Sequence, residues 1–162
     1  MKTIKVTAII LFVAILTISS QGKALLKESA VDNSNLVTAY LEVKDALVKT
    51  NSAEASEAAS KMVKLLDGMK DELSVKLIED AKAISASSDV EEQRKSFNSL
   101  SQSMYSYVRD NGSEHQGLYK QYCPMAFKNT GAFWLASETE INNPYFGSRM
   151  LKCGVVQETL SN

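Results

Sequence analysis

Histidine, cysteine and proline are scarce in this chain, and their scarcity limits its chemistry. The 162 residues include one histidine, His115, two cysteines, two prolines and one tryptophan. A nucleophilic thiol needs an imidazole or a comparable base beside it, usually with a third group that orients the base. No local signature of a thiol enzyme surrounds His115 or either cysteine, and no glycine-rich phosphate loop is present. We therefore expect no enzymatic activity.

An excess of charge of one sign is also lacking. The chain has 18 basic and 19 acidic residues, with the two signs interspersed. Nucleic-acid-binding domains usually carry a concentrated basic patch, and surface-bound membrane helices a basic amphipathic stretch. Neither pattern occurs, so the sequence predicts no nucleic-acid partner and no adsorption to a membrane surface.

The longest run without a charge is short and lies near the start of the sequence. Lys2 and Lys5 precede the largely apolar residues 6–18, and Gly22-Lys23-Ala24 offers small residues where a signal peptidase reads them. A membrane span needs about 20 apolar residues, which this run does not reach. We expect residues 1–24 to be a cleaved signal peptide and residues 25–162 to form a single periplasmic or secreted domain, with no membrane insertion after cleavage.

Residues 33–111 have the composition and spacing of helices. They contain no proline and one glycine, Gly68, and they are rich in alanine, leucine, lysine and glutamate. Apolar side chains recur at helical intervals in four segments. Capping residues mark the starts of three of them, at Asn33 or Ser34, at Asn51 or Ser52 and at Asp89, and the remaining segment runs from about Asp71 to Ser85. Glu54 and Glu92 each follow a capping residue by three positions, as in a capping box. The fold class is therefore mainly α, with an antiparallel four-helix bundle over residues 33–111.

The pattern changes at residue 118, and residues 118–159 predict a small irregular or β-rich C-terminal cap. Lys128-Asn129-Thr130-Gly131 has the composition of a turn, and residues 132–136 read as a short returning strand. Asn143-Pro144-Tyr145-Phe146-Gly147 predicts a second turn. Residues 150–159 predict a further short strand or helix.

Both cysteines lie in the cap, and each has a methionine close by in sequence. Cys123 and Met125 are two residues apart, which places them on one face of a strand, and Met150 and Cys153 are three apart, as on one face of a helical turn. Thiolates and thioethers are soft ligands that select Cu(I) or Ag(I), with His115 as a supplementary ligand. Exported cysteine pairs also form disulfides, so a Cys123–Cys153 disulfide is the alternative.

The rare residues of the cap follow one order along the chain: Tyr122-Cys123-Pro124-Met125-Ala126, Gly131-Ala132, Trp134-Leu135, Glu140-Ile141, Asn143-Pro144-Tyr145-Phe146-Gly147, Met150 and Cys153-Gly154. This order resembles that of domain of unknown function family 3347, whose members are small exported bacterial domains. Similar modules are appended to periplasmic adaptor subunits of copper and silver efflux pumps. The resemblance implies a role beside heavy-metal efflux, and the helical half agrees with the family in general character.

Two functions are consistent with these patterns. The first is an exported protein that binds Cu(I) or Ag(I) through the sulfurs of Cys123, Met125, Met150 and Cys153, as an accessory to an efflux system or another envelope protein. The second is a non-catalytic protein-interaction module without a cofactor. In that case the cysteines form a structural disulfide, and the aromatic residues of the cap, which anchor many interfaces, provide the binding surface: Trp134, Tyr145 and Phe146.

Overall fold

The helices of the bundle begin and end close to the residues that the sequence predicts. The computed structural model describes residues 33–112, 115 and 117–160, so the predicted signal peptide lies outside the described residues. Consecutive helices pack against one another, and the first also contacts the fourth. Their bounds are Asn33–Val48 (α1), Ser52–Leu65 (α2), Glu72–Ala86 (α3) and Val90–Asn111 (α4). The predicted bundle is confirmed, and within the described part of the chain no helix has both the length and the apolar character of a membrane span.

Side-chain caps start three of these helices. The Asn51 carboxamide oxygen accepts from the backbone N–H of Glu54 at 3.2 Å, as predicted for α2, but the Asn51 N–H donates to the Ala46 carbonyl at 2.9 Å and not to the Glu54 side chain. At α4, Asp89 accepts from the N–H of Glu91 at 2.8 Å, whereas its own N–H donates to Ser87 Oγ at 3.1 Å. The reciprocal contact predicted for Glu92 is therefore wrong, because Ser87 occupies the donor that Glu92 was expected to bind.

A three-stranded antiparallel sheet forms the cap. Its strands are Leu118–Cys123 (β1), Ala132–Ala136 (β2) and Val155–Leu160 (β3), in the order β2-β1-β3. The predicted β-rich cap is thus confirmed, with β1 as the central strand. The connection from β1 to β2 holds three consecutive residues at positive φ, namely Phe127 (50°), Lys128 (58°) and Asn129 (66°). Such left-handed conformations are unfavourable for non-glycine residues, so this tight turn is strained.

Aromatic rings join the cap to the bundle. Strand β2 packs on α1 and α4. The Tyr145 ring lies 5.9 Å from the Phe97 ring of α4, 5.9 Å from the Trp134 ring of β2 and 5.2 Å from the Phe127 ring of the strained turn, measured between centroids. Such contacts in tilted or edge-to-face geometry add to the burial of apolar surface. The core is therefore continuous from the helices into the sheet.

Two buried cations also fix the cap to the bundle. Arg94 of α4 is 2% exposed, and it donates to the carbonyl oxygens of Pro144 at 2.8 Å and Leu47 at 3.1 Å. Lys44 of α1 is 1% exposed, and its ammonium lies 2.5 Å from the Glu138 carboxylate. Buried charges are tolerated when they are paired and hydrogen-bonded. Both cations bind groups of the cap, so the bundle and the cap form one packed unit.

Candidate functional site

The two cysteine side chains meet at one edge of the cap. Cys123 is the last residue of β1, and Tyr122 pairs with Val155, the first residue of β3. This register brings Cys153, two residues before Val155, beside the end of β1. The sulfur atoms lie 2.9 Å apart. Cys123 is fully buried, whereas Cys153 is partly exposed. The antiparallel pairing of β1 with β3 thus builds the thiol pair from residues thirty positions apart.

A buried asparagine holds the backbone of Cys153 in place. The Asn143 side chain donates to the Cys153 carbonyl at 2.7 Å, and its oxygen accepts from the Tyr145 N–H at 2.9 Å. The N–H of Cys153 donates to the Met150 carbonyl at 3.0 Å. Sequence reasoning assigned Asn143 to the turn alone and missed this role. The proline that follows was the sequence signal for this role, because Pro144 restricts the backbone of Asn143 and so holds its side chain in one direction.

Gly154 lets the chain after Cys153 lie directly against β1 and the indole. A methyl group there would be 3.0 Å from the Tyr122 carbonyl oxygen and 3.1 Å from Cη2 of Trp134. Any larger residue would have to displace backbone or a buried ring. The chain's one tryptophan therefore lies next to the cysteine pair, and its fluorescence should report changes there.

The neighbouring Cys123 affects the ionisation of Cys153. Hydrogen bonding to Cys123 raises the pKa of the Cys153 thiol, and partial burial adds to the shift, while the backbone amide of Met125 opposes it. The neutral thiol is therefore the favoured form of Cys153, and a cation bound to its sulfur would favour the thiolate.

Both predicted methionines lie close to the pair along the chain. Met125 is 47% exposed, and its backbone amide approaches the Cys153 sulfur. Met150 precedes Cys153 by one turn, closed by the hydrogen bond described above. The structure thus brings the two sulfur-bearing segments together, with the thiols in contact and one methionine on each segment.

The predicted supplementary ligand is at the other end of β1. His115 stands three residues before Leu118, whereas the thiol pair stands at Cys123. The extended strand spans about 16 Å between those two residues. In the part of the chain that the structure describes, His115 does not join the two cysteines in a group that could hold a metal ion.

The aromatic residues predicted as a binding surface are mostly interior. Trp134 is 0% and Tyr145 is 4% exposed, and only Phe146 is partly exposed, with the Arg149 guanidinium 5.9 Å above its ring. The predicted binding surface is therefore wrong for Trp134 and Tyr145, because both fill the space between sheet and bundle. Burying large aromatic side chains there removes more apolar area from water than any smaller residue would.

The donor atoms at the pair define which ions fit. Among the described residues, no group of three or more histidine, cysteine, aspartate or glutamate side chains is placed to hold a metal ion. A structural zinc site usually has four such ligands, and calcium or magnesium requires oxygen ligands. The two thiols in contact, with a methionine close to each along the chain, offer soft sulfur donors instead.

The grooves between α1 and α2 have a different character. One, of about 240 Å³, is lined mainly by charged side chains of both signs, and the other, of about 400 Å³, is more apolar. The ion pair of Glu42 with Lys61, at 3.0 Å, borders both. None of the predicted site residues lines either groove.

Comparison with known proteins yields one match. The model of a family described as "Protein of unknown function (DUF3347)" matches residues 36–116, half of the chain. The matched stretch is the helical bundle, and it ends before Cys123. No curated protein and no solved structure matches the chain.

Proposed function

Because the chain belongs to the DUF3347 family of proteins of unknown function, we propose a function from its own site: it is an exported protein that binds a soft monovalent ion, Cu(I) or Ag(I), through the Cys123 and Cys153 sulfurs. The observation that carries this proposal is the contact of the two thiols at 2.9 Å, produced by the register of β1 and β3. The proposed role is to hold such an ion for an efflux system or another envelope protein. The resemblance to modules of copper and silver pump adaptors supports that role.

The surroundings of the pair also support a soft ligand. Met125 and Met150 stand on the two segments that bring the thiols together, and Met125 is half exposed, so its side chain can turn toward the sulfurs at little cost in packing. Thioethers add neutral soft donors without adding charge. We expect the two thiols to be the principal ligands and the two methionines to strengthen binding.

Ion binding requires the two sulfurs to move slightly apart. A metal–thiolate bond is about 2.3 Å long in zinc sites, so two sulfurs on one tetrahedral ion lie almost 4 Å apart, and they lie farther apart on an ion with fewer ligands. The sulfurs must therefore move apart by about 1 Å or more from their present 2.9 Å. Cys123 is fixed at the end of a buried strand, whereas Cys153 lies in a partly exposed turn. A rotation of the Cys153 side chain would supply the required separation.

The same contact favours a second candidate function. Oxidation of the pair would give a Cys123–Cys153 disulfide that closes a loop of about 30 residues and stabilises the fold by about 3–4 kcal/mol in the chain-entropy model. The protein would then be a non-catalytic interaction module with a covalently closed cap. Oxidised sulfurs are poor metal ligands, so the redox state of the pair distinguishes the two functions.

The test begins with the mature protein, residues 25–162, isolated without reductant from the periplasm. Free thiols are counted before and after unfolding, and the reduced protein is then titrated with Cu(I) in competition with a chromogenic Cu(I) chelator. We expect two free thiols, one bound ion, and quenching of the tryptophan emission on binding. No thiols after unfolding, together with no Cu(I) affinity after reduction, would favour the disulfide module instead.

Single substitutions assign the ligands. Cys123→Ser and Cys153→Ser should each abolish tight binding. Met125→Leu should weaken it by about tenfold or more while changing stability little, because leucine and methionine have similar volumes. Met69→Leu is the matched control, since Met69 lies in the connection between α2 and α3 and far from the cysteines in sequence. An unchanged Cu(I) affinity in Met125→Leu would show that the Met125 thioether is not a ligand.

A further inference from the structure

The two thiols of the pair differ in exposure, and this difference suggests how the ion moves. Resting on the proposed function, we propose that Cys153 is the exchanging ligand, through which the ion enters from and leaves to a sulfur donor of a partner protein. Cys123 is then the retaining ligand, which holds the ion until the exchange is complete.

Access to the pair from solvent is on the side of Cys153. Cys123 is 0% exposed, and its strand partner in β2, Ala132, is 4% exposed. Cys153 is partly exposed, and the neighbouring Met125 is 47% exposed. An incoming sulfur can therefore approach the ion past Met125 and Cys153, whereas the strands of the sheet cover Cys123.

The backbone restraints at the two residues point the same way. Cys123 is paired with β2 in a buried part of the sheet, where close packing resists rotation of a side chain. Cys153 has a backbone held by Asn143 and Met150, but its side chain borders solvent. Partly exposed side chains change rotamer within nanoseconds, so Cys153 can swing away from the ion while its backbone stays fixed.

The exchange is a ligand substitution without a change of oxidation state. As the ion enters, the Cys153 and Cys123 thiols each give a proton to water and their sulfurs bond to the ion. During transfer, a thiol of the partner gives its proton to water as its sulfur bonds to the ion, the bond to Cys153 breaks, and the Cys153 thiolate takes up a proton from the solvent. The Cys123 bond breaks last, after a second partner thiol has released its proton and bonded to the ion, and the Cys123 thiolate then takes up a proton in the same way.

The first test needs no metal. The reduced, metal-free protein is treated with iodoacetamide, and the reaction is stopped at intervals and followed by trypsin digestion. Cleavage after Lys120, Lys128 and Lys152 places Cys123 in residues 121–128 and Cys153 in residues 153–162, so mass spectrometry reads the two rates separately. Thiol reactivity depends on thiolate fraction and on access. The raised pKa of Cys153 slows its reaction, but burial closes Cys123 to the reagent altogether, so we expect Cys153 to react faster by about tenfold or more, and both to react alike in unfolded protein. Equal rates in the folded protein, or a faster Cys123, would overturn the inference.

The second test follows transfer of Ag(I) from the loaded protein to a competing small thiol, using the tryptophan emission. Exchange through an exposed ligand predicts a transfer rate that rises in proportion to the competitor concentration. A rate independent of the competitor would mean that the ion must leave before anything replaces it, and would overturn the exchange role of Cys153.

The two proposals fail in different ways. If the reduced protein binds neither Cu(I) nor Ag(I), the proposed function fails, whatever the alkylation rates. If it binds the ion but the two thiols are alkylated at equal rates, or the transfer rate does not depend on the competitor concentration, the proposed function stands and the assignment of Cys153 as the exchanging ligand is wrong.

Discussion

Replacing Arg94 by methionine should weaken the attachment of the cap to the bundle. Methionine fills most of the space of the aliphatic part of arginine but donates no hydrogen bonds. The Pro144 and Leu47 carbonyls would lose their donor, and each unsatisfied buried acceptor costs about 1–3 kcal/mol. Glu91, the ion-pair partner of Arg94, is half exposed and regains water.

Part of this loss is recovered, because Arg94 is itself costly to bury. Desolvation lowers the pKa of its guanidinium, although the Glu91 carboxylate opposes the shift. Replacing a buried charge by an apolar side chain can recover about 1–4 kcal/mol. We therefore expect a net loss of about 2 kcal/mol. An unfolding entropy of about 2.1 cal/mol/K per residue then predicts a fall in Tm of about 7 °C for the mature chain.

The matched control for this change is Arg149→Met. Arg149 donates to the same oxygen of Glu91 at the same 2.8 Å, but its side chain is 59% exposed. Exposed substitutions of this kind usually change stability by about 0.5 kcal/mol or less. Thermal unfolding followed by helical circular dichroism and by tryptophan emission measures both variants. If Arg94→Met lowered the Tm no more than Arg149→Met, the attributed role of the buried guanidinium would be refuted.

Three further changes test other parts of the structure. Desolvation disfavours the Glu138 carboxylate, but the hydrogen bond and charge of Lys44, together with hydrogen bonds from Ser137 and Asn142, outweigh it and lower the pKa of Glu138 below its ordinary 4.5. The pair therefore stabilises the fold above about pH 4.5 and ceases to do so as the pH falls through the lower folded-state pKa, so Glu138→Gln should flatten the pH dependence of urea unfolding between about pH 6 and 3. An unaltered slope would contradict this account. Lys128→Gly should raise the free energy of unfolding by about 0.5–1 kcal/mol by relieving a left-handed backbone, and Asn129→Gly should raise it less, because asparagine tolerates that conformation. A loss of stability in Lys128→Gly would count against strain in this turn. Gly154→Ala should lower the free energy of unfolding by about 1–3 kcal/mol and shift the tryptophan emission, since the added methyl meets the indole, and an unshifted spectrum would show that the ring is farther away.

The bundle was predictable because its signals are local. Asn51, Asp71 and Asp89 each cap the helix that follows, and apolar spacing gives the inward face. The buried cations were harder to recognise from sequence. Arg94 lies between Val90 and Phe97 at helical spacing. A charged residue on an apolar face must have hydrogen-bond partners, but the sequence does not show which groups they are.

The cap was predictable only in part because its pairings are distant in sequence. The hairpin of β1 and β2 follows from turn chemistry, but the place of β3 on the other side of β1 depends on residues thirty positions away. The contact of Cys123 with Cys153 was a hypothesis from the sequence, and it depends on the pairing of β1 with β3. The burial of Tyr145 could not be read from its turn, since an aromatic in such a motif has the same neighbours in sequence whether it points inward or outward.

The cations on the bundle have a consequence for how the two halves of the chain depend on each other. Lys44 and Arg94 lie on helices, yet Glu138 and Pro144, which they bind, lie in the cap, and Tyr40 of α1 accepts from the N–H of Leu135 at 3.0 Å. Helices separated from the cap would expose an apolar face on which Lys44 and Arg94 lack the cap groups that they bind. The positions of these cations therefore favour packing of this face against the cap and disfavour packing against an unrelated apolar surface. The same helices placed in another protein without their cap would therefore be less stable than they are here.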